Sequence, residues 1–217
     1  MSEPDETGSN RPSRDGADNL QTPEDNLRLY SDWADTYDQG FAHRTGYRSP
    51  KVIADAYLAA GGGWPLLDAG CGTGLVAEHL PAHATIDGLD LSPEMLETAR
   101  AKGRYRNLIE ADLTGELPLQ DAQYFGLVSA GTFTHGHVGP EALHELMRVL
   151  KPGAACALSG NAAFFAKANF KATFDALAAA GVISTPDFTK ERIYDASGEP
   201  PPGHADDIGL VVVFTRL

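Results

Sequence analysis

The segment 66–74 constrains the fold more than any other part of the chain. It reads Leu-Leu-Asp-Ala-Gly-Cys-Gly-Thr-Gly, in which an apolar run ends on an acid and three glycines follow at every second position. The apolar run predicts the end of a buried strand, and the residues 75–80 predict a helix directly after it. Glycines let a backbone approach a ligand closely because no Cβ is in the way. The segment therefore predicts a strand, a ligand-binding loop and a helix, although a glycine-rich turn without a ligand would share the pattern.

Strand and helix patterns alternate from this loop to the end of the chain. The predicted strands are 66–68, 85–90, 108–111, 126–130, 154–159 and 210–214, with a further strand or loop around 188–194. The predicted helices are 75–80, one that begins at the N-cap Ser92 with Pro93 in its first position, 140–150 and 164–180. Residues 151–153, Lys-Pro-Gly, predict a turn. This alternation predicts an α/β fold with a doubly wound, mostly parallel sheet.

The chain before the glycine loop divides into two parts. Residues 1–21 are polar and acidic and hold almost nothing to bury, so we expect them to be disordered. Residues 22–63 predict two helices, one from Thr22 that stops by Gly40, and one after Pro50 that ends at the three glycines 61–63. The expected organisation is thus a tail (1–21), an N-terminal helical segment (22–63) and an α/β domain (64–217).

Three acids stand at the ends of three consecutive predicted strands: Asp68, Asp90 and Asp112. In doubly wound sheets the ligand lies beyond the carboxyl ends of the strands, which predicts that all three acids are near it. Asp90 could accept both hydroxyls of a ribose, and Asp112 or its neighbouring backbone could accept an adenine amine. A dinucleotide fingerprint would need a third glycine at position 75, which is Leu75, so a nicotinamide cofactor is disfavoured.

Taken together, these segments resemble the class I S-adenosylmethionine (SAM) methyltransferases. Residues 66–74 resemble the first SAM-binding motif, 88–96 the second, 110–112 the adenine segment, 146–153 the helix and turn before the fifth strand, and 30–38 an N-terminal helix that covers SAM. Residues 136–143 and 164–180 are similar to the Williams–Beuren-region methyltransferase-like proteins within that family. The resemblance implies a Rossmann-like seven-stranded sheet with an N-terminal helical lid, and SAM as the cofactor. The residues that it implies for SAM binding are Tyr30, Tyr37, Asp68, Gly70, Gly72, Asp90, Met95 and Asp112. For Tyr30, plain packing of its helix on the domain is an equal alternative.

The resemblance implies methyl transfer from SAM to a small-molecule acceptor, with a non-catalytic SAM-binding or regulatory protein as the alternative. His135 follows the fourth predicted strand, where acceptor and methyl group meet in this fold, and is the candidate general base. A metal site at His135 and His137 lacks a recognisable third ligand, so no metal is expected. The accepting atom, the need for a base and the oligomeric state stay open.

Charge and cysteine usage exclude several other classes. The net charge of −13 disfavours nucleic acid and anionic membrane surfaces as partners. No apolar run approaches the length of about 20 residues that spans a bilayer. Cys71 and Cys156 are far apart in sequence and form no paired motif, which fits a reducing compartment, so a cytoplasmic location is expected.

Overall fold

Seven strands form one sheet within residues 37–133 and 138–217, the part of the chain that the computed structural model describes. They are β1 (Leu66–Ala69), β2 (Ile86–Asp90), β3 (Asn107–Glu110), β4 (Tyr124–Phe133), β5 (Leu150–Asn161), β6 (Asp187–Arg192) and β7 (Ile208–Thr215). Their order across the sheet is β3-β2-β1-β4-β5-β7-β6. Strand β7 runs antiparallel to both of its neighbours, and the other pairs are parallel. The predicted doubly wound, mostly parallel seven-stranded sheet is therefore confirmed.

Helices connect these strands and cover both faces of the sheet. They are a π-helix (Tyr37–His43), α1 (Ser49–Ala59), α2 (Leu75–Glu78), α3 (Pro93–Ala101), α4 (Ala142–Val149), α5 (Ala162–Lys167) and α6 (Phe170–Ala179). The start of α3 is as predicted, since the Ser92 hydroxyl accepts a hydrogen bond from the Met95 amide and Pro93 occupies the first turn. Within the described residues, no helix combines the length and the apolar character needed to cross a membrane.

The core has a layer on each face of the sheet because successive strand residues point to opposite faces. Leu67 belongs to the layer under α4, α5 and α6, whereas Leu66 belongs to the layer under α1 and α2. Helix α1 inserts the ring of Tyr57 so deeply that a Cβ on Gly126 of β4 would lie 1.9 Å from the tyrosine hydroxyl. This helix, part of the segment 22–63, is thus built into the core.

Strand β2 carries a buried ionic cluster at its start. The side chain of Asp87 is 1% exposed and accepts two hydrogen bonds from Arg106, at 2.9 and 2.7 Å. Tyr124 and Asn107 donate to the same carboxylate at 3.0 Å. Burial raises the pKa of this carboxyl, but the hydrogen bonds from Arg106 and Tyr124 outweigh it and hold the pKa below its usual range. The cluster joins β2, β3 and β4 away from the carboxyl ends of the strands.

The predicted end of the first N-terminal helix at Gly40 is wrong. Gly40 lies inside the π-helix, and helical winding continues past it. The residues that follow, Phe41 and Ala42, are buried against Ile193 and Tyr194. This packing holds the segment in a helical form in spite of the glycine, whose propensity cost is only about 1 kcal/mol.

The single helix predicted over 164–180 is also wrong, because the chain breaks it into α5 and α6. Asn169 between them has a left-handed conformation with φ +58°. The break allows the rings of Phe165 and Phe170 to stack with centroids 4.1 Å apart. Asparagine tolerates this conformation better than most residues, so the packing of two aromatic rings decides the local structure.

Strands β4 and β5 are longer than predicted. Residues 131–133, expected after the fourth strand, extend β4, and the register opposite β5 shifts between Ser129 and Phe133. The Lys-Pro-Gly segment 151–153, expected as a turn, lies within β5, where the Gly153 amide donates to the Arg216 carbonyl at 2.7 Å. The predicted tail 1–21 and the helix predicted from Thr22 as far as residue 36 lie outside the described residues.

Candidate functional site

The glycine loop joins β1 to α2 at the switch point of the sheet, where the strand order reverses between β1 and β4. Its three glycines have positive φ angles: +71° at Gly70, +51° at Gly72 and +89° at Gly74. The amides of Gly70 and Cys71 both donate to the carbonyl of Leu89 in β2, at 2.8 and 3.0 Å. The loop is therefore fixed against the carboxyl end of the neighbouring strand.

The glycines of the loop have different physical roles. A Cβ on Gly70 would lie 2.1 Å from the hydroxyl oxygen of Thr132, and a Cβ on Gly74 would lie 2.8 Å from the ring of Tyr105. A Cβ on Gly72 would meet no atom of the described residues within 4 Å. Gly70 and Gly74 are thus required by packing within the protein, whereas only Gly72 borders space that a ligand can enter.

Asp90, the last residue of β2, faces the same loop. Its carboxylate accepts hydrogen bonds from the backbone amide of Gly72 at 2.7 Å and from that of Ser92 at 3.0 Å. Burial raises the pKa of this carboxyl, and the amides of Ser92 and Gly72 partly offset the rise. Each carboxylate oxygen keeps a further lone pair, so Asp90 can accept ligand hydroxyls while it holds the loop.

Asp68 lies one residue before the end of β1 and is completely buried. The hydroxyl of Tyr105 donates to its Oδ2 at 2.7 Å, while its Oδ1 is buried and has no hydrogen-bond partner among the described residues. Burial raises the pKa of this carboxyl to about 7, the Tyr105 hydrogen bond lowers it, and the charge of Asp90 raises it. A buried acceptor without a partner is costly, which makes Oδ1 a candidate ligand contact.

Burial and the charges of Asp90 and Asp68 both act on the thiol of Cys71. Cys71 is buried, and its pKa is raised well above the usual value by burial and by the charges of Asp90 and Asp68. The thiolate, which is the reactive form of a cysteine, is therefore disfavoured at Cys71. The same two carboxylates give the loop a negative potential that favours a cationic ligand group.

Three further candidate residues lie in the described part of the chain. Met95 is buried in the first turn of α3, next to the cap residue Ser92. Asp112 is exposed after β3 and accepts hydrogen bonds from the amide and hydroxyl of Thr114. Tyr37 lies in the π-helix with its ring 5.3 Å from that of Phe41. Tyr30 and His135 lie outside the described residues, so their roles stay predictions.

Sequence reasoning missed three contact residues at this site. Tyr105 supports Asp68, Thr132 packs on Gly70, and Asp38 accepts a hydrogen bond from Thr73 in the loop. Each lies at least 35 positions from its partner, and no periodicity marks such a distance. Only Asp38 carried a signal, since it follows Tyr37 in the resemblance over residues 30–38.

Replacement of Gly72 by alanine is expected to weaken SAM binding by about ten- to a hundredfold, because the added methyl group enters the ligand space. The fold should survive, since the strain of φ +51° costs about 1–2 kcal/mol and no protein atom is displaced. Calorimetric titration and thermal unfolding measure the two effects. Gly61→Ala is the matched control, with φ +74° and equally open surroundings at the end of α1. SAM affinity at the wild-type level in Gly72→Ala would show that the loop is only a structural turn.

The residues present fit the cofactor that the sequence resemblance implies. SAM carries ribose hydroxyls, an ammonium group and a sulfonium cation. Asp90 offers a carboxylate for hydroxyls, and Gly72 offers open backbone. Asp68 offers a buried oxygen that has no partner among the described residues. These three groups lie at the carboxyl ends of β1 and β2, where the fold class places its ligands.

Comparison with known proteins agrees with this assignment. A family model described as a methyltransferase domain matches residues 67–158. The human methyltransferase-like protein 27 is 37% identical over 168 residues, which cover 72% of this chain and 67% of that protein. A 2-phytyl-1,4-naphtoquinone methyltransferase of Nostoc punctiforme is 33% identical over 126 residues. That match covers 52% of this chain and 53% of the relative, so this chain spans about half the length of the relative.

Solved structures share the fold. A SAM-dependent methyltransferase of Thermotoga maritima, described as a possible histamine N-methyltransferase, superimposes with a TM-score of 0.61 at 19% identity. The superposition covers 88% of this chain and 99% of that structure. At this level of identity the likeness concerns the fold alone.

Proposed function

Because the chain belongs to the class I SAM-dependent methyltransferases, we propose that it transfers the methyl group of SAM to a small-molecule acceptor. The observation that carries the proposal is the arrangement at the glycine loop. Gly72 borders open space, and its amide donates to the carboxylate of Asp90, while Asp68 near the end of β1 has a buried oxygen without a partner among the described residues. These acceptor groups suit a ligand that presents hydroxyls and positive charge, which are the groups of SAM.

SAM supplies an electrophilic methyl group on a sulfonium, which is already a good leaving group. The protein therefore has mainly to bind and orient the reactants, and orientation alone is worth several orders of magnitude in rate. Asp90 and Gly72 form one rigid unit through their 2.7 Å hydrogen bond, so ligand hydroxyls and the loop backbone are positioned together. Asp68 and Asp90 provide negative charge beside the loop, which favours a cationic ligand over an anionic one.

A small-molecule acceptor is supported by the names of relatives. One relative is a 2-phytyl-1,4-naphtoquinone methyltransferase, and another, of Symbiobacterium thermophilum, is a demethylmenaquinone methyltransferase at 34% identity over 97 residues. The net charge of −13 also disfavours polyanions such as nucleic acid. We extend the proposal to an acceptor that is neutral or cationic.

We also retain His135 as the proposed general base. If it removes the acceptor proton, His135→Ala should lower kcat by about 10²–10⁴ while SAM affinity stays unchanged. The wild-type rate should fall as pH drops through the histidine pKa, and the variant should lose that dependence. Steady-state kinetics over a pH series measures both effects. Nearly full activity in His135→Asn would dismiss base catalysis without touching methyl transfer.

The raised pKa of Asp68 leads to a pH dependence of cofactor binding. If the Asp68 carboxylate contacts a cationic group of SAM, affinity should be highest above pH 7 and fall as the carboxyl gains a proton near its pKa of about 7. In Tyr105→Phe the hydrogen bond that stabilises the carboxylate is lost, so the midpoint should move to higher pH. Titrations from pH 5.5 to 9 measure the midpoint. If the pH midpoint of SAM affinity is the same in the wild type and in Tyr105→Phe, Asp68 does not take part in cofactor binding.

The proposal is tested with SAM labelled in its methyl group. The protein is incubated with labelled SAM and separate pools of quinols, carboxylic acids and amines, and S-adenosylhomocysteine formation is measured beside label in the acceptor. Stoichiometric label and S-adenosylhomocysteine in one pool support methyl transfer to a small molecule. Tight SAM binding with no transfer to any pool, including a small-molecule extract of cells, would favour the alternative of a non-catalytic SAM-binding protein.

The organisation of the chain completes the proposal. We propose that residues 1–21 are a tail without a role in binding, and that residues 22–63 precede a SAM-binding domain at 64–217. The part of 22–63 before α1 would cover the cofactor. The two cysteines of the chain, Cys71 and Cys156, are both buried and form no disulfide, which supports a reducing compartment such as the cytoplasm.

A further inference from the structure

Asp38, in the π-helix, connects the start of the described chain to the glycine loop. The Thr73 hydroxyl, which lies in the loop between Gly72 and Gly74, donates to Asp38 Oδ1 at 2.5 Å. Thr73 is 2% exposed and the side chain of Asp38 is 26% exposed, so the contact is partly shielded from water. Shielding strengthens a hydrogen bond to a charged group, because water competes less for either partner.

The other oxygen of Asp38 is held by a lysine that also binds α2. Lys102 Nζ lies 2.5 Å from Asp38 Oδ2 and 2.6 Å from Glu78 Oε1. The Lys102 side chain is 18% exposed and its nitrogen atom is buried, in contrast to surface pairs such as Lys171–Asp175, whose side chains are 75% and 58% exposed. Exposed pairs contribute little to stability, whereas the buried ammonium of Lys102 links two carboxylates, of which Asp38 is 26% exposed and Glu78 is 43% exposed.

These contacts join three helices to the glycine loop. Asp38 lies in the π-helix beside Tyr37, Glu78 ends α2, Lys102 follows the last turn of α3, and Thr73 belongs to the loop itself. The same loop presents Gly72 to the ligand space. A displacement of Asp38 would therefore release both the loop and the segment that carries Tyr37.

We propose that Asp38 is a positioning residue for cofactor binding, which acts through Thr73 on the loop and through Lys102 on α2 and α3. It fixes the loop in its binding conformation before the cofactor arrives, so that less ordering is needed when the cofactor binds. The proposal rests on the assignment of SAM to this loop. It assigns Asp38 a role in SAM affinity without any contact between Asp38 and SAM.

The experiment compares SAM affinity in variants that remove one contact at a time. Thr73→Val keeps the shape of the side chain and removes the hydroxyl, whereas Thr73→Ser keeps the hydroxyl. Asp38→Ala removes both contacts of the aspartate. Asp175→Asn is the matched charge control, in an exposed pair on α6. Calorimetry gives Kd, thermal unfolding gives Tm, and both are measured on the full chain.

We expect Thr73→Val and Asp38→Ala to weaken SAM binding by about three- to tenfold or more. Thr73→Ser and Asp175→Asn should bind SAM like the wild type. The double variant of Asp38→Ala and Thr73→Val should bind SAM as tightly as the single variant that has the lower SAM affinity. Both changes remove the same hydrogen bond, so their effects should not add. In an assay of methyl transfer, KM for SAM should rise while kcat at saturation stays constant.

Wild-type SAM affinity in Thr73→Val would overturn the proposal even if its Tm falls, since the contact would then serve stability alone. Equal losses in Thr73→Ser and Thr73→Val would overturn it too, because the hydroxyl would not be the active group. If Asp38→Ala does not fold, the two Thr73 variants decide the question. A wild-type chain that binds no SAM would instead overturn the assignment of SAM itself, which separates the two failures.

Discussion

Alanine at position 90 should lower SAM affinity by about ten- to a hundredfold and also destabilise the protein. The loss of affinity follows from the loss of a charged acceptor for ligand hydroxyls, which is worth about 1.5–3 kcal/mol. The loss of stability follows because the amides of Gly72 and Ser92 donate to the Asp90 carboxylate in the wild type and lose this acceptor in the variant. We expect the free energy of unfolding to fall by about 1–3 kcal/mol. Calorimetry with SAM and denaturant unfolding measure the two quantities.

Asp87→Asn provides the control for Asp90→Ala. Asp87 lies on the same strand and is also buried, but its partners Arg106 and Tyr124 are away from the glycine loop. Its replacement should lower stability and leave SAM affinity unchanged at a temperature where both variants are folded. An Asp90→Ala protein that is less stable but binds SAM like the wild type would refute the assignment of Asp90 to the cofactor.

Gly70→Ala should destabilise the protein more than any other single change in the glycine loop. The new Cβ would lie 2.1 Å from the hydroxyl oxygen of Thr132 and 2.6 Å from its methyl carbon. The residue would also keep a φ of +71°, which is strained for alanine. Overpacking and strain together are expected to lower the free energy of unfolding by about 2–5 kcal/mol.

A second substitution, at Thr132, distinguishes the effect of the steric clash from the effect of the backbone strain at position 70. Gly70→Ala combined with Thr132→Ala removes the hydroxyl and the methyl group of Thr132, the two nearest atoms, and leaves only the Cβ of residue 132 at 2.9 Å from the new Cβ. The double variant should therefore be more stable than the sum of the two single changes. Denaturant unfolding of the four proteins gives this coupling energy. Strictly additive effects would show that Thr132 is not the reason for glycine at position 70.

The sequence predicted the parts of the fold and the site that local patterns determine. The strand before the loop, the cap at Ser92 and the order of alternating elements all depend on residues within a few positions of each other. Asp90 was recognised as a binding residue because it ends a strand. From that position alone, its replacement would be expected to leave stability unchanged, and the amides of Gly72 and Ser92 correct this expectation.

Contacts between distant residues could not be predicted in the same way. Tyr105 and Asp68 are 37 positions apart, Asp38 and Thr73 are 35 apart, and Thr132 and Gly70 are 62 apart. The two misjudged helices have the same origin, since packing of aromatic side chains overrides local propensity at Gly40 and Asn169. All three glycines of the loop looked alike in sequence, and only their neighbours distinguish Gly72 as the one that borders the ligand space.

The most direct test of the central claim is a calorimetric titration of the full chain with SAM, with S-adenosylhomocysteine and with NADH. The claim is that the loop at Gly72 and the carboxylates of Asp68 and Asp90 form a SAM site. It requires one SAM bound per chain, competition by S-adenosylhomocysteine at the same site and no binding of NADH. Binding of NADH in preference to SAM, or no heat with SAM from a folded protein, would contradict it.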